Sequence, residues 1–167
     1  LDRDLVRLDL EQRLVLRDGG AVRLEPAQDL AGLLRHPERG HDHLSRHAGQ
    51  VAFPGGRIDA GDEGPVAAAL RETEEETGIA RHFVEPLGFL DTYLTGTSYR
   101  VVPVVGLLRP GFTVTPHAGE VAEVFEVPLS FLMNPAHHET HSREWQGRQR
   151  HYYAMPYHGR YIWGATA

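Results

Sequence analysis

Apolar positions along this chain follow two different periods, and the switches between them mark its elements. Residues 84–94, VEPLGFLDTYL, and 99–108, YRVVPVVGLL, are rich in β-branched and aromatic residues and flank Thr95-Gly96-Thr97, which predicts two strands and a turn. Residues 49–53 predict a short strand entering Pro54-Gly55-Gly56, whose glycines allow close backbone approach. VAEVFEVPLSFLM predicts a strand and then a short helix after Pro128, and RQRHYYAMPYHGRYIWG predicts two aromatic-rich strands around His158-Gly159. The amino-terminal third is less decided. LVRLDLEQRLVLRDGGAVRLEP fits two strands joined at Asp18-Gly19-Gly20 or a helix up to Leu16, AQDLAGLLRHP predicts a short helix ending before Pro37, and residues 38–46 read as polar loop. One strand, one helix and then several strands predict an α+β domain rather than a repeating βαβ fold.

The longest helical period begins at Pro65, a favoured first position, with Gly64 or Asp62 as cap and Gly78 placed to end it. At about 100° per residue, Glu72, Glu75 and Glu76 share one arc of roughly 100°. Val66, Leu70, Thr73 and Thr77 form a narrow stripe for the core, and Glu74 points away from the acidic trio. Converging carboxylates repel one another, and a hard divalent cation such as Mg²⁺ or Mn²⁺ relieves that repulsion while bridging to phosphates. Arg71 could orient a carboxylate through its planar fork. A solvated face is the ordinary alternative for a Glu-rich run, and the order of acids in a calcium-binding EF-hand loop is missing.

Length and composition narrow the field. At 167 residues, with 41% hydrophobic and 24% charged positions, one domain spanning 1–167 with its own core is expected. No apolar run is long enough for a membrane helix, no signal-peptide core opens the chain, and the absence of cysteine removes disulfides and thiolate chemistry. A cytoplasmic location is the expectation. The net charge of −6 argues against nucleic acid as a partner. The 11 histidines are scattered outside any metal-binding pattern, and only His47 stands near the acidic helix.

Gly56, the acids Asp62 and Glu63, then Arg71-Glu72-Thr73-Glu74-Glu75-Glu76-Thr77-Gly78-Ile79 resemble the signature of the Nudix hydrolases, over residues 56–79. Two departures stand out. The loop after Gly56 is one residue longer than the signature, so either Asp62 or Glu63 fills the upstream acidic position, and Thr73 replaces an aliphatic residue. The resemblance implies a mixed β-sheet sandwiched between α-helices, and hydrolysis of a diphosphate joined to another group. It also implies Glu72, Glu75 and Glu76 as catalytic metal ligands, with the Gly56 carbonyl beside them and Arg71 supporting. Glu120 and Glu123 are candidate general bases by likeness to members whose later loop supplies a carboxylate, with a salt-bridged strand edge the alternative.

HLSRHAGQVAFPGG is similar to the motif of the coenzyme A diphosphatase branch, and the later segments resemble that branch in the same order. The match begins near residue 43, leaving residues 1–42 poorly matched. Arg46, His47, Gly49, Phe53 and Gly55 would contact substrate. Ser45 stands where the branch places an arginine, with Arg46 adjacent. Two core strands normally precede the glycine loop in this branch; none is legible between residues 34 and 43, and residues 5–25 are the alternative source. The implied partner is a small diphosphate, coenzyme A above all, cut to adenosine 3′,5′-bisphosphate and 4′-phosphopantetheine. Another nucleoside diphosphate derivative is the alternative, and a silent binding module is a third reading. The resemblance is compatible with a homodimer. In the tail, Tyr152, Tyr153, Tyr157, Tyr161 and Trp163 read as sheet core, with stacking on adenine as the alternative.

Overall fold

The computed structural model describes residues 10–18, 30–35, 49–95, 98–145 and 147–167. Its centre is β6 (Arg100–Leu108), the VVPVVGLL strand, which buries Val104 and Leu108 on one face and Val101 on the other. β1 (Leu10–Asp18) pairs with β6 in parallel, while β4 (Val84–Phe89) and β5 (Tyr93–Leu94) pair with it antiparallel, so the sheet is mixed. A second sheet has the order β3 (Val51–Ala52), β2 (Leu30–Arg35), β7 (Glu123–Pro128). The third is the antiparallel run β8 (Glu139–Trp145), β9 (Arg148–Tyr157) and β10 (Arg160–Trp163). Helix α1 (Pro65–Thr77) lies against β1 and β6, and the one-turn α2 (Leu129–Leu132) follows β7. Mixed strands with few helices make this an α+β fold. Among the described residues no helix is long and apolar enough to cross a membrane.

The core stripe of α1 is as the period requires. Val66, Ala69 and Leu70 pack with Ile79, Val84, Val104 and Leu108. Thr73 is fully buried, and its hydroxyl donates to the Ala69 carbonyl at 2.7 Å, while that of Thr77 donates to the Thr73 carbonyl at 2.5 Å. Threonine therefore stands in an aliphatic position without leaving an unpaired polar atom, which would cost about 1–3 kcal/mol. Gly64 caps the helix without any side-chain bond, because Asp62 is engaged elsewhere.

Two expectations change and one open choice is decided. Residues 30–35 are a strand, not part of a helix over AQDLAGLLRHP: their backbone pairs with β7 on one side, at 34–35 also with β3, and Leu33 is fully buried. Pairing and burial override a local helical pattern. For residues 10–18 the strand reading holds and the helical one does not, while the Asp18-Gly19-Gly20 turn lies largely outside the described residues. The two strands that precede the glycine loop are thus β1, within 5–25, and β2. In the tail, the core is made by Ala154, Met155 and Ile162 with Tyr157 packed against it, Tyr152 and Trp163 are half-buried, and Tyr153 and Tyr161 are exposed, so the aromatic alternation is core only in part. Met155 and Ile162 face the main core, fully buried Ala154 lies on the opposite face beside Trp163, and the tight turn at His158-Gly159, both at positive φ, sets that register.

The end of α1 is a tight joint. Gly78 adopts φ 73°, and a Cβ there would stand 2.8 Å from the Thr115 carbonyl. Gly78→Ala meets strain and a backbone clash together, and is expected to cost about 2 kcal/mol. Thermal unfolding should show a Tm lower by about 4–8 °C; an unchanged Tm would contradict this packing.

Candidate functional site

The glycine loop after β3 runs back over α1. The Gly55 N–H donates to Glu76 Oε2 at 2.9 Å, and a Cβ on Gly56 would fall 2.3 Å from Glu72 Oε1. Glycine at 56 is thus required by the carboxylate lying against it. The acidic arc is covered rather than solvated: Glu76 is 5% exposed, and Glu72 is largely enclosed, while Glu75 remains open. Glu74, on the far side, ion-pairs with Arg81 at 2.7 Å.

Arg71 organises the rest. Its Nε and Nη2 donate to the two oxygens of Asp62 at 3.1 and 3.0 Å. Nη1 donates to Glu72 Oε1 and Glu75 Oε2, both at 2.9 Å, and Nη2 also donates to the Arg57 carbonyl at 2.9 Å. Asp62 closes its own turn, accepting from the Asp59 N–H at 2.8 Å. Of the two upstream acids it is Asp62 that meets Arg71, while Glu63 is exposed. The hydrogen bond from Arg71, helped by the Asp59 N–H, holds the Asp62 carboxyl below its ordinary value. Burial pushes the Glu72 carboxyl up, against the opposing pull of Arg71, and the bond to Asp62 raises the Arg71 guanidinium.

The loop before β7 hangs on the last turn of α1. The Thr115 N–H donates to the Thr77 carbonyl at 2.8 Å and the His117 N–H to the Glu76 carbonyl at 2.9 Å. Glu120 follows one turn later, its carboxylate 4.0 Å from His117 Nδ1. Glu123 lies elsewhere, bound to Arg160 and 3.5 Å from Arg35, and this strand-edge pairing keeps its carboxyl below the ordinary value. Phe53 is half-buried against the core of Leu33, Val51 and Phe125, Gly49 turns at φ 70°, and Arg46 and His47 lie outside the described residues. The Arg57 carbonyl and the backbone anchors at Thr115 and His117 carry no side-chain signature, so nothing in the sequence singles them out.

Hard oxygen donors crowd one place: one guanidinium serves Asp62, Glu72 and Glu75, with Glu76 beside them. Among the described residues no three acidic or imidazole side chains already stand together as a metal cluster, because Arg71 lies between Glu72 and Glu75 and Gly55 engages Glu76. The chemistry of the donor set fits a Mg²⁺- or Mn²⁺-like ion, and the surplus of negative charge over Arg71 favours one.

A NUDIX domain model matches residues 20–150. An uncharacterized Nudix hydrolase NudL of Photorhabdus laumondii is 43% identical over 124 residues, which cover 74% of this chain and 66% of that protein. Its counterpart in Escherichia coli O7:K1 is 35% identical over 173 aligned positions, covering 100% of this chain and 89% of that one. Among solved structures, a Caenorhabditis elegans Ap4A hydrolase binary complex superposes with a TM-score of 0.55 at 20% identity, over 72% of this chain and 80% of that one. The NUDIX domain of Shewanella oneidensis NrtR, complexed with ADP ribose, does so at 0.53 and 19% identity, over 75% and 76%. The fold they share is an α+β domain of the Nudix type. The chain belongs to the Nudix hydrolase family.

Asp62→Asn tests the Arg71 anchor. A carboxyl held below its ordinary 3.8 stabilises the fold above that pH and loses this contribution as pH falls through its folded value. The variant should therefore melt below the wild type at neutral pH, with the gap closing below about pH 3.8 in paired thermal scans. A gap independent of pH would contradict the assignment.

Proposed function

We propose that this chain hydrolyses the diphosphate of coenzyme A or a derivative, giving adenosine 3′,5′-bisphosphate and 4′-phosphopantetheine. The observation that carries a diphosphatase reading is the enclosure of Glu72 and Glu76 beneath the glycine loop, with Glu75 and Asp62 held to the same guanidinium. A binding module would gain nothing from burying repelling acids. The coenzyme A assignment rests on HLSRHAGQVAFPGG and the order of segments after it.

Glu72, Glu75 and Glu76, with the Gly56 carbonyl, would hold Mg²⁺ or Mn²⁺. Held there, such an ion would neutralise diphosphate oxygens and acidify water. Arg71 holds Glu72 and Glu75 in one orientation, and the Gly55 N–H fixes Glu76. Gly56, without a side chain, lets backbone and Glu72 meet. Glu120, on the loop anchored to the Glu76 carbonyl, is our choice for the general base. Gly49, Gly55 and Phe53, with Arg46 and His47, complete the substrate-binding set in this reading.

Turnover of coenzyme A measured beside an ADP-sugar, a dinucleotide and a noncanonical nucleoside triphosphate tests the substrate. Release of phosphopantetheine should dominate at saturating Mg²⁺, and its absence with another substrate cleaved would leave the chemistry and remove coenzyme A. Glu76→Gln should lower kcat at least about a hundredfold and weaken metal binding. It should also melt at or above the wild type without metal, because a crowded like charge is gone; an unchanged metal titration would refute the site. Gly56→Ala, at a residue with no positive φ, should keep the wild-type Tm yet displace Glu72 and weaken Mn²⁺ binding about 10–100-fold by calorimetry.

A further inference from the structure

A second gathering of like charge lies away from α1. Strand pairing sets Arg143 of β8 directly opposite Arg150 of β9, and Trp145 opposite Arg148. These positions share one face of the sheet with His141, Tyr152 and, on β10, Tyr161 and Trp163. The other face sends Met155 and Ile162 into the core. The Arg143 guanidinium lies over both indoles, 5.1 Å from the ring of Trp145 and 5.8 Å from that of Trp163. Tyr152 meets Trp163 edge-on at 5.4 Å and stacks with His141 at 5.8 Å.

Opposed arginines destabilise an antiparallel pair, and what offsets this one among the described residues is the pair of indoles beneath Arg143, not a carboxylate. Arg143, Arg148 and Arg150 are exposed, and among the described residues no carboxylate pairs with any of them. Glu139, the acid on this face, is taken by His141 at 2.9 Å. Glu144, opposite Gln149, points to the other side. A cationic patch on a chain of net charge −6 therefore stands beside an indole that is 41% exposed. Guanidinium forks bind phosphate oxygens, and the part of an indole that Arg143 leaves open to solvent stacks a planar base.

We propose that the solvent face of β8–β10 binds a free nucleotide, with its phosphates bridging Arg143, Arg148 and Arg150 and its base stacked on Trp145. A nucleotide fits better than a nucleic acid, since the net charge repels a long polyanion beyond this small patch. Binding here needs neither a metal nor the carboxylates of α1, so it stands independently of the diphosphatase reading.

The chain has two tryptophans, and both belong to this face, so intrinsic tryptophan emission reports it directly. Titration with ADP in EDTA should change that emission saturably. Arg150→Gln should weaken the response about tenfold, equivalent to about 1.4 kcal/mol, while melting at or above the wild-type Tm because an opposed like charge has gone. Glu76→Gln should keep the full ADP response, and its loss would assign the signal to the α1 site and overturn the proposal. No change of emission with ADP, or wild-type affinity in Arg150→Gln, would also overturn it. So would inorganic pyrophosphate competing as well as ADP, which would remove the base from recognition. An adenine oligonucleotide binding at least about tenfold tighter than ADP would replace the nucleotide with a nucleic acid and equally refute it.

Discussion

One guanidinium makes the acidic site compatible with a folded chain. Two carboxylates about 4 Å apart repel by about 4 kcal/mol at an effective dielectric constant of 20, and the helix sets Glu72, Glu75 and Glu76 within one arc. Arg71 answers that with a planar fork that reaches Asp62, Glu72 and Glu75 together. A lysine ammonium, a point charge on a flexible stem, would lack the bidentate grip on Asp62. The same group accounts for the shape of the preceding loop, because its bonds to Asp62 and the Arg57 carbonyl tie residues 57–62 to the helix. The placement of the acids and the geometry of the loop therefore have a common anchor.

What the sequence discloses follows from where the causes lie. The bounds of α1, the covalent spacing of its acids and the Thr73–Thr77 stripe are local properties, and the structure has all of them. The choice between Asp62 and Glu63 is not local. It depends on which acid the looped backbone presents to Arg71, and an inserted residue hides that from counting. Nor does a helical wheel reveal that the acidic arc is roofed. Glu76 looks like a solvated position until the glycine loop folds back over it.

The elements misread or passed over have a similar origin. β2 is decided by neighbours more than 85 positions away in the chain, on β7, so its own residues give a weak and misleading helical period. β8, with almost every position exposed, shows no alternation of apolar and polar residues to detect. It forms because β9 pairs with it along its whole length. The tyrosines of β9 and β10 were harder to place for the opposite reason: alternation announces a strand and does not say which face meets solvent.

The hydrogen bonds from Thr115 and His117 to the last carbonyls of α1 divide the molecule's freedom to change. A helix end leaves carbonyls without partners inside the helix, and here two of them suspend the loop that leads to Glu120. The helix and the start of this loop are thereby tied as one mechanical unit, whatever lies beyond. Changes in length or sequence in the outer part of the loop are thus separated by this tie from the acid-bearing helix.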